Sequence, residues 1–440
     1  MSESKTSENR PRIVVVGGGA GGLELVTQLG KSLGRKKADI TLIDCSRTHI
    51  WKPLLHEVAA GTLDSHDDEL DYLAQASSNG FRYVLGRMDG LDRTNKQVHL
   101  AAMVNEKGEE IMPPRTHPYD MLVIAVGSIC NDFGITGVAE HCLFLDTTDQ
   151  AEQFQNRLLE AYFHAHATGG VKETGQLDVA IVGGGATGIE LSAQLHQATR
   201  LLSAYGLDNV KPSDLQIHII EAADRLLPEL PERLSKSTLK QLEKLGIQVH
   251  LGERVVEVTK DGMKTQSGRF IPAALKVWAA GVKAPDFLKT IADLETNRIN
   301  QVVVRPTLQT TVDDNIFAIG DCAACPWPEK NSTVPPRAQS AHQQATLVLK
   351  NLRRKLEGKS MLTYRYKDYG SLVSLGKYST VGNLMGNLMG TVMIEGLIAR
   401  LVYLSLYKMH QLALFGPIRV SMLMVSGFFR RRLRPKIKLH

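Results

Sequence analysis

This 440-residue sequence is poor in cysteine. Its five cysteines are an odd number in a long chain, which is not the pattern of a disulfide framework, so a reducing compartment suits them better. The charged start MSESKTSENRPR contains no apolar core, and we expect no secretory signal there. Low-complexity tracts are absent from the sequence. A composition of 43% hydrophobic and 22% charged residues is typical of a globular protein, here with room for two ordinary domains and an appendage.

Acidic residues are almost missing from the last fifty positions. Residues 391–440 contain nine Lys or Arg and one acid, Glu395, so their net charge is +8 within a total of +6. The preceding residues are therefore nearly neutral, at −2. The basic end, GFFRRRLRPKIK from residue 427, leaves three kinds of partner to weigh: nucleic acid, an acidic protein and a phospholipid surface.

Two stretches of the sequence resemble each other, and each begins like a βαβ unit. RIVVVGGGAGGLELVTQLG (12–30) and VAIVGGGATGIELSAQLHQ (179–197) each contain a β-branched run, a glycine-rich turn and a helical pattern. The runs are apolar without alternation, as in parallel strands covered on both faces. Each stretch is followed by a predicted strand that ends in an acid, at 38–44 and 215–221. Further strands are predicted at 120–126, 247–251, 274–279 and 315–319, and helices near 150–166, 188–203 and 231–245.

The first glycine-rich turn has the residues of a dinucleotide site. Gly17 allows a tight turn, Gly19 a close approach of the backbone to a pyrophosphate, and Gly22 close packing of strand on helix. The helix N-terminus adds unpaired N–H groups, and Asp44 at the end of the next strand can accept from ribose hydroxyls. A glycine-rich turn without a ligand is the alternative, but here strand, helix and acid are all in place.

The second turn repeats this pattern with Gly183, Gly185 and Gly188, and Glu221 ends its second strand. A carboxylate at that position favours a free 2′-hydroxyl and repels a 2′-phosphate, so NADH is expected rather than NADPH, although Arg225 nearby keeps NADPH open. Two such fingerprints in one chain predict two dinucleotides. The economical pair is a bound FAD and a diffusible hydride donor, NADH.

Other predicted strand ends carry small or acidic residues. Asp321 follows an apolar strand and can accept from the ribitol hydroxyls of a flavin, while a helix N-cap is the common alternative for such a residue. Ala125-Val126-Gly127 and Ala279-Ala280-Gly281 are small-residue turns, where a backbone can pass close to a ligand.

With these residues, the sequence resembles the flavoproteins that have two dinucleotide-binding domains. More narrowly, it resembles the bacterial type II NADH dehydrogenases, which are single-subunit NADH:quinone oxidoreductases that pump no protons. The resemblance covers nearly the whole chain. It rests on GGGAGGLE (17–24), HIWKPLLHEVAAG (49–61), GGGATGIE (183–190), WAAG (278–281), AIGDC (318–322), RAQSAHQ (337–343) and the amphipathic C-terminal region.

The resemblance implies an α/β fold with two Rossmann-like dinucleotide-binding domains and a C-terminal amphipathic helical region that anchors the protein to a membrane. FAD, one per chain and non-covalent, is expected on 1–150 and 301–385, NADH on 151–300, and membrane association in 386–440. The expected FAD-binding residues are Gly17, Gly19, Ala20, Gly21, Gly22, Asp44, Lys52, Ala125, Gly127, Asp321 and Gln339. The expected NADH-binding residues are Gly183, Gly185, Gly188, Glu221, Ala280 and Gly281.

The resemblance also implies which residues serve the quinone. Gln339 and Gln343 match the family's quinone-site glutamines, Glu190 matches a glutamate proposed to deliver protons, and Lys377 aligns with a lysine near the flavin. From the residues alone, Glu190 has two interpretations. It donates a proton, which a pKa raised by partial burial would suit, or it only packs or pairs at the start of its helix, as we expect of Glu24.

The segment RAQSAHQQA is compatible with a quinone site. Gln339 and Gln343 lie one helical turn apart, and their amides can donate to quinone carbonyls without a charge to desolvate. The alternative is a polar, solvated helix N-terminus after Pro335-Pro336. His342, between the two glutamines, is either a proton donor or an exposed or capping residue.

Cys322 and Cys325 invite two sharper interpretations that the sequence disfavours. A zinc site needs further ligands at matching spacing, and no second CxxC or His pair exists, so we expect no metal. A redox-active disulfide would need a Cys pair after the first domain's second strand, where only Cys45 lies. Cys130 does not supply the cysteines on which sulfide:quinone oxidoreductases rely, so these residues are expected to be structural thiols.

The C-terminal region is expected to lie on a membrane. Apolar residues at helical spacing run from 394 to 430, interrupted by Arg400, Lys408, Gly416-Pro417 and Arg419, and no uncharged run reaches the roughly 20 residues needed to cross a bilayer. This pattern suits a helix in the interface, with the basic end attracted to anionic lipid on the cytoplasmic face of the inner membrane. A homodimer interface and a solvated tail are the alternatives, and a nucleic-acid partner is not expected because no stacking platform accompanies the charge.

The sequence thus predicts a respiratory flavoenzyme that takes a hydride from NADH onto FAD and passes two electrons to a membrane quinone. Two other functions remain open from the sequence. One is a soluble NADH-dependent reductase of the disulfide or ferredoxin type. The other is a flavoprotein whose main role is regulated binding to lipid or to a partner.

Overall fold

The computed structural model describes residues 10–105, 107–171, 176–375, 380–386, 390–395, 397–433 and 437–438. The chain forms two compact units. The first comprises residues 10–50, 69–129 and 282–368, and the second comprises 51–68, 130–281 and the described residues from 369 onward. These boundaries follow packing, whereas the predicted domains followed ligands, so the ligand assignment remains a prediction.

The described helices run in the following order: α1 Ala20–Lys37, α2 Leu55–Ala59, α3 Ser65–Asp68, α4 Tyr72–Asn79, α5 Val138–His141, α6 Thr148–Ala167, α7 Ala186–Ala204, α8 Glu232–Lys244, α9 Ala338–Leu356 and α10 Leu397–Leu433. Short 3-10 helices cover Lys52–Leu54, Pro212–Asp214, Asp286–Thr290, Gly320–Cys322 and Pro328–Lys330. Two long helices are kinked at a glycine in the left-handed region, Gly34 in α1 (φ 60°) and Gly416 in α10 (φ 77°). Pro417 follows the second kink, where its fixed φ suits the start of the next helical segment.

The first unit is built on a parallel sheet of five strands. Their spatial order is Ile316–Ala318, Met121–Ile124, Arg12–Val16, Asp39–Asp44 and Arg82–Leu85. Val14 and Val15 in the central strand are fully buried, as expected for a strand covered on both faces. The strands predicted at 120–126 and 315–319 are confirmed within one or two residues at their ends. α1 and α9 pack against each other in this unit.

The second unit repeats the same arrangement with a parallel sheet of four strands. Their spatial order is Gln248–Leu251, Ile217–Glu221, Val179–Val182 and Leu275–Trp278. The central strand is fully buried except for Val182, which is 6% exposed. The predicted helices near 150–166, 188–203 and 231–245 are present as α6, α7 and α8. α6 begins with a capping box, in which Thr147 and Gln150 satisfy each other's backbone N–H groups.

Smaller antiparallel sheets complete the two units. The first unit has the three strands Arg115–Pro118, Gln97–Leu100 and Met88–Asp92, and short pairs at Thr48–His49 with Leu70–Asp71, Met103–Val104 with Glu110–Met112, and Pro326–Trp327 with Ser332–Thr333. A parallel pair joins Val302–Val303 to Ala323–Ala324, and short strands also occur at Ile129–Cys130 and Val282–Lys283. The second unit has Val255–Val258, Gly262–Thr265 and Phe270–Pro272, and the sheet Gly370–Ser374, Thr380–Gly386 and Gly390–Glu395.

Two parallel sheets with crossing helices, followed by a C-terminal helix, are the fold class that the sequence predicted. α10 packs against the sheet that ends at Glu395. Among the residues that the structure describes, no helix is long and apolar enough to cross a bilayer.

Candidate active site

The first glycine-rich turn connects the central strand of the first sheet to α1. Gly17 has a left-handed φ of 102°, and a Cβ there would lie 2.3 Å from the Ala125 carbonyl oxygen. A Cβ on Gly22 would lie 1.9 Å from the Gly17 carbonyl oxygen, so both positions exclude any side chain. At Gly19, by contrast, a Cβ would meet no atom within 4 Å. This open position precedes helical N–H groups that no side chain caps, so the turn has room and donors for a pyrophosphate.

Asp44 is bound back to this turn. Its Oδ2 accepts from the Gly18 N–H at 2.6 Å, and its Oδ1 accepts from the Ser46 N–H at 2.7 Å. Burial raises the pKa of Asp44 in spite of these donors. The predicted ribose acceptor therefore lies beside the turn, and part of its hydrogen-bonding capacity orders the loop itself.

The other predicted flavin residues of the first unit lie at neighbouring strand ends. Asp321 Oδ2 accepts from the Ser128 hydroxyl at 2.8 Å. Asp321 is not a helix N-cap, because Ile319 precedes the 3-10 turn that contains it. Gly127 has a φ of 71° and open space at its Cβ position. Ala20 opens α1, and the next residue, Gly21, allows close packing on α9, since its Cβ would lie 3.1 Å from the Ala341 carbonyl oxygen.

The second glycine-rich turn has the same geometry as the first. Gly183 has a φ of 114° with a Cβ position 2.7 Å from the Ala279 carbonyl oxygen, and a Cβ on Gly188 would lie 2.1 Å from the Gly183 carbonyl oxygen. Gly185 again has no atom within 4 Å of its Cβ position. Ala280 follows the strand end, and Gly281 (φ 66°) lies against the ring of Phe133.

The acid of the second turn also reaches back to a glycine N–H. Glu221 Oε2 accepts from Gly184 at 2.6 Å, and its Oε1 accepts from Ala223 at 2.8 Å. Arg225, which left NADPH open, donates to the Pro228 carbonyl at 2.6 Å. The guanidinium is therefore engaged in its own loop, and the carboxylate is the charged group held at the turn.

The start of α9 carries the predicted quinone-site glutamines. Gln343 Nε2 donates to the Lys367 carbonyl at 2.8 Å, and its Oε1 accepts from the Lys367 N–H at 3.0 Å. Gln339 Nε2 lies 3.3 Å from Asp368 Oδ1. Both amides thus engage residues 367–368, and neither is simply solvated, as the alternative interpretation held. The Gln343 amide nitrogen has a second hydrogen that the bond to the Lys367 carbonyl does not use.

His342, between the two glutamines, contacts the first turn. Its Nδ1 forms a hydrogen bond with Glu24 Oε2, and Gln28 Nε2 donates to the other oxygen of that carboxylate at 2.9 Å. Glu24 therefore pairs at the start of its helix, as expected. The pair fastens α9 to α1.

Glu190 occupies the equivalent position in the second turn, and sequence reasoning did not find its partner. Its Oε1 accepts from the Ser374 N–H at 2.8 Å, and its Oε2 lies 3.6 Å from His56 Nδ1. Both side chains are buried. The motif HIWKPLLHEVAAG contains His56, but nothing in the spacing indicates a partner 134 positions away.

The remaining predicted residues have other outcomes. Lys52 Nζ lies 3.0 Å from Asp146 Oδ1, so its described contact is an ion pair. Lys377 lies outside the described residues. Burial raises the pKa of the Cys322 and Cys325 thiols to about 12, so both are protonated at neutral pH. Within the described ranges, no three His, Cys, Asp or Glu side chains are grouped to hold a metal ion.

Two copies of one nucleotide-binding turn, each on its own parallel sheet, define a protein with two dinucleotide sites. The family model described as "Pyridine nucleotide-disulphide oxidoreductase" matches residues 11–345. A type II NADH:quinone oxidoreductase of Haemophilus influenzae is 43% identical over 97% of this chain and 99% of its own. A protein of the same name from Staphylococcus aureus is 30% identical over 86% of this chain and 90% of its own.

Solved structures show the same fold. The structure of NDH2 from Plasmodium falciparum in complex with NADH has a TM-score of 0.80 at 21% identity, and the match covers 98% of this chain and 100% of that one. A sulfide:quinone oxidoreductase from Aquifex aeolicus has a TM-score of 0.71 at 18% identity, with 93% and 92% covered. The chain belongs to the pyridine nucleotide-disulphide oxidoreductase family and, within it, to the type II NADH:quinone oxidoreductases.

Proposed function

We infer that this chain oxidises NADH and reduces a quinone through a bound FAD. The observation that carries the inference is the doubled nucleotide turn, in which Gly19 and Gly185 leave the same open space before an uncapped helix N-terminus. When bound, FAD accepts a hydride from NADH and returns two electrons to the quinone. The quinone gains the equivalent of the hydride of NADH and one proton from solvent, and it thereby becomes a quinol.

We assign FAD to the first turn and NADH to the second. Asp44 and Asp321 would accept from ribose and ribitol hydroxyls, and the N–H groups at the start of α1 would bind the pyrophosphate. Glu221 would accept from the 2′-hydroxyl of NADH and repel the phosphate of NADPH. The engagement of Arg225 with Pro228 supports this preference, because it occupies the cation that would otherwise attract that phosphate.

For the quinone, we assign Gln339 and Gln343 as amide donors to its carbonyl oxygens and Glu190 as a proton donor. The support is their match to the family motif, together with the contacts that order the amides against residues 367–368. An amide held by neighbouring groups loses less side-chain entropy when a quinone binds. Lys377 remains a candidate on the motif alone.

We place the enzyme on the cytoplasmic face of the membrane through α10. This helix exposes a series of large apolar side chains: Met409, Leu412, Ile418, Met422, Leu423, Met424 and Val425. Arg419 is exposed among them, and the basic end of the chain follows. Apolar and cationic side chains on one helix suit an anionic phospholipid surface. A homodimer interface would bury the same residues and is the competing assignment.

The test uses the full-length protein reconstituted in anionic liposomes. NADH oxidation is followed with and without a short-chain quinone, and again with NADPH. We expect rapid oxidation that needs the quinone and prefers NADH. In stopped flow, Gln339→Leu should slow reoxidation of the flavin by quinone and leave its reduction by NADH intact. Equal loss of both half-reactions would contradict the assignment of Gln339.

A further inference from the structure

His56 is a buried histidine, and one of its ring nitrogens forms no hydrogen bond with a described residue. The side chain is 3% exposed, and Nε2 has no hydrogen-bond partner among the described residues. Burial lowers the pKa of His56 to about 4, and a hydrogen bond to the Pro53 carbonyl offsets only part of this. The ring is therefore neutral at pH 7, and the contact with Glu190 is not an ion pair at that pH.

The tautomer of His56 follows from its contacts. Nε2 has no described partner, so the described polar contact of the ring is made through Nδ1. Nδ1 is the nitrogen that faces Glu190 Oε2, at 3.6 Å. The neutral ring thus carries its proton on the side of the carboxyl group and leaves Nε2 as a bare acceptor. A distance of 3.6 Å is slightly beyond hydrogen-bond range, and the hydrogen bonds of catalytic groups are often this long before a substrate binds.

The surrounding elements hold these two side chains together. α2, which carries His56, packs against α6 and α7. Thr62 Oγ1, just after α2, donates to Gln194 Oε1 at 3.2 Å, one helical turn beyond Glu190 on α7. The Ser374 N–H fixes the second oxygen of Glu190. The segment 56–62 therefore contacts two successive turns of α7, and the Ser374 N–H orients the carboxyl group beside the imidazole.

We propose that His56 is a positioning residue that holds the Glu190 carboxyl group and returns a proton to it after each turnover. The proposal rests on the role of Glu190 in the proposed function. Once Glu190 has given its proton to the reduced quinone, the Nδ1–H of His56 protonates the carboxylate while Nε2 takes up a proton from solvent. One proton enters the ring and one leaves it, and exchange of tautomers restores the starting state. A buried polar atom without a protein partner commonly binds an ordered water, which is the donor this step needs.

The test separates holding from proton return. His56→Asn keeps an N–H donor near the position of Nδ1 but cannot pass a proton through. His56→Ala removes both functions and leaves a space of imidazole size. His164→Asn is the matched control, because His164 is an exposed histidine on α6. For each variant, flavin content and thermal stability are measured first, and then the two half-reactions by stopped flow.

We expect His56→Asn to leave reduction by NADH unchanged and to slow reoxidation by quinone about tenfold, the lower end of general acid–base effects. Added imidazole should restore reoxidation in His56→Ala. In pH-difference infrared spectra, the protonated carboxyl band that Glu190→Gln removes should shift in His56→Asn. The double variant should be no slower than Glu190→Gln alone, since His56 acts through Glu190.

Other outcomes are distinguishable from one another. Wild-type reoxidation in His56→Asn, or additive losses in the double variant, would overturn the proposal and leave the role of Glu190 standing. Wild-type reoxidation in Glu190→Gln would remove the role of Glu190 itself, and the inference with it. Loss of stability and of both half-reactions without rescue by imidazole would make His56 a packing residue.

Discussion

Residues 437 and 438 are held in the second unit, and the strength of this contact can be predicted. The Lys438 N–H donates to the Gly61 carbonyl at 2.8 Å, and Gln155 Nε2 donates to the Lys438 carbonyl at 2.9 Å. Lys438 Nζ lies 3.2 Å from Asp64 Oδ1, and Ile437 is 3% exposed. We call this set of contacts the 437–438 clasp. Lys438 is one of the basic residues that the sequence analysis assigned to lipid, and here its charge is paired with Asp64.

The free energy of the clasp follows from its parts. Burial of Ile437 contributes about 2 kcal/mol. The two hydrogen bonds made by the backbone of Lys438, with the Gly61 carbonyl and with the Gln155 amide, contribute about 1 kcal/mol each. The ion pair adds about 0.5 kcal/mol, because Asp64 is 35% exposed and solvent screens it. Ordering two residues costs about 3 to 4 kcal/mol, so docking should be favourable by only about 1 kcal/mol. The segment should therefore open readily, with roughly fivefold protection of the Lys438 amide against hydrogen exchange.

Ile437→Ala should abolish this protection, since it removes about 2 kcal/mol, more than the net stabilisation. Lys438→Met should reduce it only about twofold, because the apolar stem and both backbone bonds remain. Lys240→Met, at an exposed lysine of α8, makes the same change of charge and should have no effect. Hydrogen exchange of the Lys438 amide is the measurement. Unchanged protection in Ile437→Ala, or protection equal to that of the sheet cores, would refute the reasoning.

Three further predictions concern the glycine turns, the nucleotide and Asp64. Gly22→Ala should destabilise the first unit, because its methyl group would lie 1.9 Å from a backbone oxygen. Gly19→Ala should fold normally, because its methyl group meets no atom within 4 Å, but it should retain less FAD, because the methyl group occupies the space assigned to the pyrophosphate. Thermal unfolding and flavin content per chain distinguish the two variants. Glu221→Gln keeps an acceptor and loses the charge, so the ratio of kcat/KM for NADH over NADPH should fall about tenfold or more. Burial acts to raise the pKa of Asp64, but Lys438 and the His66 N–H hold it below its ordinary value. This stabilisation is complete at neutral pH and is lost as pH falls through the folded-state pKa, and a carboxyl NMR titration should show the pKa rising in Lys438→Met.

The glycine turns were predictable because their cause is local. Gly17 and Gly22 must lack a side chain to let strand, turn and helix approach one another, and the spacing of the motif records that requirement directly. The positions of Asp44 and Glu221 at strand ends were predictable for the same reason, since a strand end is visible as the end of an apolar run. Their second role, which is to accept a hydrogen bond from a glycine N–H of the turn, is visible only in the three-dimensional structure.

The contacts of the residues that we assign to the quinone and to proton delivery were not predictable, because each contact joins distant segments. Gln343 pairs with the backbone of Lys367, and Glu190 with that of Ser374, 184 positions away. A backbone partner has no side-chain signature, so no spacing in the sequence reveals it. His56 was visible as a letter in a family motif, but its burial and its free Nε2 depend on packing around α2.

The two copies of the turn show how one motif acquires two uses. Glu24 and Glu190 stand at the same place after each GxGxxG, both are buried, and each faces a histidine from another element. In the first copy, Glu24 forms a hydrogen bond with His342, whose side chain is 26% exposed, and Gln28 donates to the other carboxylate oxygen. The pair therefore holds α9 against α1. In the second copy, His56 is 3% exposed and keeps a bare nitrogen, and a backbone N–H orders the carboxyl group. The hydrogen bond between Glu24 and His342 suits a structural contact between helices. The longer contact of Glu190 with His56, whose Nε2 is a buried acceptor without a described partner, suits proton transfer. The difference in burial and contact, rather than the shared glutamate, therefore distinguishes the structural copy from the one we assign to chemistry.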